Sequence, residues 1–289
     1  MSKESLCRLC PNECKVDRSK NIGFCGASDK ILIAKYYPHP YEEPSISGTK
    51  GSGTIFFTGC SLRCVFCQNY ELSRNLRGKD ITVNELADIF RQLENMGVHN
   101  INLVSPTVYS DKIMKALDIY KPSIPVVYNT HGYEKPDIIK TLISYVDIFL
   151  PDIKFYSEKL SARYTGKSDY FKVASKAIEL MANKPLKFKD GLMKSGVLVR
   201  HLVLPQCTSD SLKIINWFSE SGLKNSTYIN IMSQYTPFGD IEKFPELKRP
   251  ITEREYDRVI DFAISKGIDK MYYQELRSTG KKYIPKWDF

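Results

Sequence analysis

Cysteines are the residues of this sequence best suited to chemistry, and seven of the eight lie in two tight groups near the N-terminus. Residues 1–17 lack the apolar run of a secretory signal, so we expect a cytoplasmic protein whose thiols stay reduced. Closely spaced reduced thiols are typical of metal ligation. The first group is Cys7, Cys10, Cys14 and Cys25, the second is Cys60, Cys64 and Cys67, and Cys207 stands alone.

The second group has the spacing Cys-x3-Cys-x2-Cys and directly follows a predicted strand at residues 54–58. Three thiolates on one short loop can hold three irons of a [4Fe–4S] cluster and leave the fourth iron open. A closed cluster or a structural zinc site takes four protein ligands instead. The spacing therefore predicts a cluster with one open iron, and a zinc ion completed by a distant side chain is the alternative.

At residues 59–69, Gly-Cys-Ser-Leu-Arg-Cys-Val-Phe-Cys-Gln-Asn, the chain resembles the radical SAM superfamily. The resemblance implies that S-adenosylmethionine (SAM) binds the open iron and that a reduced cluster cleaves it to a 5′-deoxyadenosyl radical. This radical would then abstract hydrogen from a substrate. The aromatic Phe66 before the last cysteine agrees with the family, and we count it among the candidate cofactor-binding residues.

The wider loop is similar to the branch of pyruvate formate-lyase activating enzyme, over about residues 50–275, and the four-cysteine N-terminus to an uncharacterised subgroup of it. This resemblance implies a glycine of a partner glycyl-radical enzyme as substrate, flavodoxin or ferredoxin as electron donor, and a monomer. Another peptide, a tRNA or a small molecule is the alternative substrate. A non-catalytic Fe–S electron-transfer protein or a nucleic-acid-binding protein is the alternative from another class.

The same resemblance supplies candidates at two predicted strand ends. Asp152 and Lys154 form an Asp-x-Lys pair after the fourth strand, where the lysine of the activases contacts the SAM carboxylate. A salt bridge without a ligand is the alternative. After the third strand, the activases carry an aspartate near SAM or near a monovalent cation, and Asn129 offers an oxygen there without a charge.

Three further polar residues are candidates for SAM binding. Ser105 and Thr107 follow the second strand, where many superfamily members carry Gly-Gly-Glu for the methionine amino group. Our hypothesis is that their hydroxyl groups take that role, and a Ser-Pro-Thr turn at a helix start is the alternative. On the fifth strand, we expect Arg200 to face the barrel interior, where SAM or a substrate carboxylate would be its anionic partner, and a buried ion pair is the alternative.

The remaining cysteines have a more general interpretation. The four thiols of the first group suffice for a second Fe–S cluster or a tetrahedral zinc ion, and free thiols are the third alternative. Few apolar residues surround them, so we expect a metal to order this segment. Cys207 is expected to be a small buried apolar residue.

The elements that must position these residues form a regular pattern after residue 53. Six apolar or β-branched runs alternate with six amphipathic stretches, which predicts a parallel sheet with helical crossovers. The length favours an α/β fold with a partial, TIM-like (β/α)6 barrel, and a doubly wound sheet is the alternative. The resemblance implies that this partial barrel is of the radical SAM type. The predicted strands are 54–58, 100–104, 125–128, 146–150, 196–204 and 227–232, and the predicted helices are 82–96, 110–120, 136–144, 169–183, 209–221 and 252–266.

Residues 1–50 differ from the rest because they combine cysteines, prolines and a Gly/Ser-rich stretch. We therefore predict a small irregular Cys-rich lobe over residues 1–50 and the partial barrel over residues 51–289. A content of 42% hydrophobic and 26% charged residues excludes wholesale disorder, and no apolar run approaches the roughly 18 residues of a membrane span. The net charge of +9 suits an acidic partner or a nucleic acid.

Overall fold

The computed structural model describes residues 6–274, whose central feature is a sheet of parallel strands that follow one another in chain order. The strands are β1 Ile31–His39, β2 Ser52–Phe57, β3 Lys79–Ile81, β4 Ile101–Val104, β5 Val126–Thr130, β6 Ile148–Pro151, β7 Lys187–Lys189, β8 Leu192–Leu202, β9 Tyr228–Met232 and β10 Met271–Tyr273. The helices are α1 Pro44–Ser47, α2 Tyr70–Ser73, α3 Val83–Asn95, α4 Ser110–Ile119, α5 Pro136–Leu142, α6 Glu158–Thr165, α7 Tyr170–Met181, α8 Thr208–Glu220, α9 Leu223–Ser226 and α10 Glu253–Ser265.

The strand order is β10-β9-β8-β6-β5-β4-β2-β1-β3, with β7 paired to β8. All neighbours along this order from β2 to β10 are parallel, whereas β1 is antiparallel to both β2 and β3. Within residues 6–274, β3 and β10 end the order and do not pair with each other, so the sheet is not closed. This confirms the predicted α/β fold with a partial barrel. A doubly wound sheet is ruled out because its strand order would reverse.

Local signals explain where the helices begin. The hydroxyl of Thr82 accepts a hydrogen bond from the backbone of Glu85, and the Glu85 carboxylate accepts one from the backbone of Thr82. Thr252 and Glu255 form the same capping box at the start of α10, as their spacing predicts. None of the helices formed by residues 6–274 combines the length and the apolar sequence of a membrane span.

The N-terminal region is more regular than the sequence predicts. Ile31 and Ile33 are buried on one face of β1, and the strand pairs with β2 along most of its length. Alternate burial of this kind is typical of an antiparallel strand with one face on the core. Residues 31–39 therefore belong to the sheet, while the irregular part of the lobe lies before them. The domain boundary at residue 50 stays a prediction.

The sequence analysis also missed several short elements, and helix α6 and strand β10 show why. Helix α6 has a strongly polar sequence, so it lacks the apolar periodicity from which the other helices were predicted. Strand β10 has three residues, none of them fully buried, and it pairs with β9 as a seventh parallel strand. Such short edge strands leave almost no pattern in the sequence.

Residues 40–47, which we call the strap, lead from the end of β1 into the interior of the partial barrel. Ile46 of the strap is buried against Val127 of β5, Leu150 of β6 and Leu198 of β8. The side-chain amide of Asn100, just before β4, donates to the carbonyl of Ile46 at 2.8 Å. The strap therefore closes the amino-terminal end of the barrel interior.

The ends of β5 and β6 approach each other closely at Gly132. Its φ is +79°, and a Cβ built there would lie 2.3 Å from the carbonyl oxygen of Asp152. A side chain at this position would be excluded both by the left-handed backbone and by the neighbouring strand end. Glycine at this position therefore permits the close approach of Asp152 to the end of β5.

We predict that Gly132→Ala destabilises the protein more than Gly222→Ala, measured as free energies of unfolding in urea. Gly222 has a nearly identical φ of +80°, and an added Cβ would meet no atom within 4 Å, so it isolates the backbone cost of about 1–2 kcal/mol. The contact with Asp152 should add about 1–3 kcal/mol at Gly132. Equal losses for the two variants would contradict the close approach.

Candidate active site

A cavity of about 270 Å³ lies at the carboxyl ends of the parallel strands. This edge is where βα folds carry their functional groups. Of the residues proposed from the sequence, the cavity is lined by Cys60, Cys64, Phe66, Cys67, Ser105, Asn129, Asp152, Lys154 and Arg200. The other residues that line it are His39, Tyr41, Glu42, Thr54, Phe56, Gln68, Asn69, Val104, Thr130, His131, Leu202, Met232 and Gln234.

The loop after β2 carries the three thiols, and its path requires glycine at two points. Gly59 has a φ of +91°, which turns the chain off the strand. From another part of the chain, Gly239 packs so closely that a Cβ there would lie 2.3 Å from the carbonyl oxygen of Val65. The backbone N–H groups of Leu62 and Arg63 point at the sulfur of Cys60, at 3.4 and 3.5 Å.

Burial opposes ionisation of these thiols. It raises the pKa of Cys60 to about 11 and raises the pKa of Cys64 further, while the nearby Lys154 ammonium acts in the opposite direction on both. Thiolates at this position therefore need a positive partner beyond the protein's own charges, and a bound metal supplies one.

The donor set fits a cluster with one open iron. Three soft sulfur donors on a single loop face one cavity, and each would bind a different iron, so they need not converge on one point. Across residues 6–274, no group of three or more His, Cys, Asp or Glu side chains is arranged around a single ion position.

Beside the thiols, a chain of charged groups crosses the cavity. The Lys154 ammonium donates to Asp152 at 2.6 Å, and the Arg200 guanidinium donates to the other oxygen of Asp152 at 2.9 Å. Burial alone would raise the pKa of Asp152, but Arg200 and Lys154 outweigh it and hold that pKa below its usual value. Burial likewise disfavours the charged form of Lys154, yet Asp152 keeps its pKa raised. Both groups are therefore ionised.

Arg200 and Asn129 join this chain from the strands on either side of β6. The guanidinium donates to the side-chain oxygen of Asn129 at 2.6 Å, and it lines the cavity while also forming the ion pair with Asp152. Arg200 therefore faces the interior, as predicted, and it also forms the buried ion pair that was the alternative. The oxygen that Asn129 would offer to a cation already accepts this hydrogen bond.

The acidic pair of the strap was missed by the sequence analysis. The carboxylate of Glu42 accepts hydrogen bonds from Asn102 at 2.7 Å, Asn129 at 3.0 Å and Arg200 at 3.2 Å. Glu43 accepts from the amide of Asn230 on β9. Burial, followed by repulsion from Glu42, raises the pKa of Glu43 to about 7. The sequence signal that could have revealed this pair is two adjacent acidic residues directly before Pro44.

The hydroxyl groups of Ser105 and Thr107 do not face the same cavity. Ser105 has a φ of +59° and lines the cavity, whereas Thr107 is buried outside it and donates to Glu134 at 2.6 Å. Burial raises the pKa of Glu134 to about 7. The left-handed turn at Ser105, which leads into a 3-10 helix at Pro106, sends the two hydroxyl groups to different places. Only Ser105 is in position to contact a ligand.

His131 connects the end of β5 to the cysteine loop. Its Nε2 lies 2.8 Å from the hydroxyl of Ser61, between the first two thiols of the loop. Burial lowers the pKa of His131 to about 3, so the ring is neutral. Phe66 forms another side of the cavity, and its ring packs edge-on against Phe155 and Tyr164.

The four thiols of the N-terminal lobe lie next to this loop. A Cβ built on Gly23 would lie 3.4 Å from the sulfurs of both Cys14 and Cys25, so these two thiols flank one glycine. Burial raises the pKa of Cys10 to about 11, with further contributions from Cys25 and Cys7. None of the thiols forms a disulfide.

Hydrogen bonds attach the lobe to the loop. The backbone N–H of Cys60 donates to the carbonyl of Cys25 at 3.1 Å, and the side chain of Asn12 donates to the carbonyl of Ser61 at 2.7 Å. The two groups of thiols are therefore neighbours. Cys207 is buried near the start of α8 and does not line the cavity, and burial raises its pKa to about 12.

Several known proteins are similar to this chain. Uncharacterized protein MJ0674 of Methanocaldococcus jannaschii is 29% identical over 279 residues, which cover 92% of this chain and 76% of that protein. SuiB of Streptococcus suis, in the crystal structure with its precursor peptide SuiA, matches with a TM-score of 0.49 at 13% identity. The match covers 75% of this chain and 46% of SuiB, so the chain spans less than half of that protein.

A domain of pyruvate-formate lyase-activating enzyme from Bacteroides vulgatus matches with a TM-score of 0.37 at 11% identity, covering 67% of this chain and 91% of that domain. At the level of families, residues 54–194 match the Radical SAM superfamily. This segment runs from β2 through the three-cysteine loop and the Asp-x-Lys pair to the start of β8. Residues 54–194 are therefore similar to the domain that defines the radical SAM superfamily.

Proposed function

We propose that this protein is a radical SAM enzyme that cleaves SAM reductively and abstracts hydrogen from a substrate. The observation that carries the proposal is the convergence of three loop thiols and the Asp152–Lys154 pair on one cavity within the segment that matches the radical SAM superfamily. When bound there, a reduced [4Fe–4S] cluster supplies one electron to SAM, which splits into methionine and a 5′-deoxyadenosyl radical.

The residues of the chain bind and orient SAM in this proposal. Cys60, Cys64 and Cys67 hold the cluster, and Lys154, fixed by Asp152, directs its remaining N–H groups to the SAM carboxylate. Ser105 offers its hydroxyl and backbone to the methionine amino group. The strap and the aromatic ring of Phe66 keep water away from the reacting atoms.

We propose that Cys7, Cys10, Cys14 and Cys25 bind a second metal centre, either an Fe–S cluster or a zinc ion. Four thiols in one lobe suffice in number for either group, and a zinc ion would require the sulfurs to move closer to a single point. The sulfurs of Cys14 and Cys25 both lie against Gly23, and this proximity of two of the four thiols supports a shared bound group. A metal would also order a lobe in which regular secondary structure is sparse.

The substrate and the partners follow from the sequence resemblance to the activases. We propose that hydrogen is abstracted from a glycine of a partner glycyl-radical enzyme, and that the protein acts as a cytoplasmic monomer. Flavodoxin or ferredoxin would supply the electron. The net charge of +9 favours the approach of such acidic donors.

We predict that the anaerobically reconstituted protein, reduced with dithionite, converts SAM to 5′-deoxyadenosine, and that Cys64→Ala abolishes this reaction. Cys207→Ala is the matched control, because Cys207 is equally buried but lies outside the cavity. The nucleoside is measured by liquid chromatography. No turnover by a wild-type protein with an intact cluster would favour a non-catalytic Fe–S or nucleic-acid-binding protein.

The N-terminal centre can be tested separately. A variant with Cys60→Ala, Cys64→Ala and Cys67→Ala should retain bound iron or bound zinc, measured by elemental analysis, and the metal found identifies the centre. Adding Cys10→Ala and Cys25→Ala should remove that metal because two of the four ligands are lost. A triple variant that purifies folded and without metal would refute the second centre.

A further inference from the structure

Glu42 reaches the candidate SAM site from the amino-terminal end of the barrel interior. It belongs to the strap, which enters the barrel interior from the amino-terminal end, while the thiols and Lys154 belong to the opposite, carboxyl-terminal edge. Its side chain is only 11% exposed. A buried carboxylate is costly unless it is paired, and Glu42 is paired with Arg200 and with two amides.

The orientation of Asn129 depends on this carboxylate. The side-chain N–H of Asn129 donates to Glu42 at 3.0 Å, so its oxygen faces the other way and accepts from Arg200 at 2.6 Å. A rotation of the amide by half a turn would place its N–H against the guanidinium and its oxygen against the Glu42 carboxylate, and both contacts would be repulsive. Glu42 therefore decides which atom of Asn129 meets Arg200.

The position of Arg200 depends on it as well. The guanidinium is held by Asp152 through Nε and by Glu42 through Nη1, which are carboxylates on two sides of the group. The third guanidinium nitrogen, Nη2, donates to Asn129, so each of the three nitrogens makes one hydrogen bond. The N–H groups that these bonds leave over can donate to a ligand in the cavity. Without Glu42, the outer end of the guanidinium would lose its charged partner and could turn toward Asp152.

Glu43, the next residue, provides an internal comparison. It is buried in the same strap, yet its hydrogen bonds go to Asn230 of β9 and to none of the predicted SAM-binding residues. The two acids therefore have similar burial, and their side chains have different hydrogen-bond partners.

We propose that Glu42 is a positioning residue for SAM: its carboxylate fixes Arg200 and Asn129 in the orientation that receives the cofactor. This inference rests on the proposed function, in which the cavity binds SAM. Glu42 acts through the two side chains above it and has no role in electron transfer or in holding the cluster.

The test compares SAM binding by reconstituted wild-type protein, Glu42→Gln and Glu43→Gln, measured by equilibrium dialysis, with iron content and the melting temperature as checks. Glu42→Gln should raise the SAM dissociation constant by about tenfold, because a hydrogen-bonded charge is lost. Cleavage at saturating SAM should change by less than about twofold. Glu43→Gln should bind SAM like wild type, and equal weakening by both substitutions would overturn the proposal.

A double-mutant cycle identifies the route of the effect. If Glu42 acts partly through Arg200, Glu42→Gln should weaken SAM binding less in an Arg200→Gln background than in the wild-type background. Additive losses would overturn the proposal. Glu42→Asp, which keeps the charge, should bind SAM more tightly than Glu42→Gln, and the reverse order would also count against it. Failure of the wild-type protein to bind SAM would contradict the proposed function instead.

Discussion

Four charged side chains line the cavity next to one another, and the structure around them depends on the pairing of each charge with an opposite one. Lys154, Asp152, Arg200 and Glu42 are each at most 17% exposed, and each lies within 3.2 Å of an opposite charge. Taking ions out of water costs several kcal/mol per ion unless partners restore the lost interactions. The positions of the strand ends and of the strap are therefore coupled, because a shift of one would leave a buried charge unpaired.

Much of this architecture is encoded locally. The six predicted parallel strands and the helices between them appear within a few residues of their expected bounds, since burial on both faces and helical periodicity leave clear patterns. The three-cysteine loop was equally easy to identify from the sequence, because all its predicted ligands lie within eight residues. Strand β1 was hidden by the prolines and cysteines around it, although its alternating isoleucines carried the signal.

The polar contacts of the site were less predictable for a physical reason. Glu42 meets Arg200 across 158 residues of sequence, and no local pattern specifies such a contact. Thr107 was paired with Ser105 by proximity in sequence, but a left-handed backbone at Ser105 separates their directions. Sequence patterns indicate which edge of a sheet carries function, whereas the direction of each side chain is set by packing between distant segments.

The strap has a consequence for how the protein is made. Synthesis proceeds from the N-terminus, so Glu42 and Glu43 leave the ribosome long before Arg200 and Asn230, their partners 158 and 187 residues later. Closing such long loops is slow, because their entropy is lost before any contact compensates for it. The two carboxylates therefore remain hydrated until Arg200 and Asn230 have been synthesised, and their contacts in the cavity form only after that point.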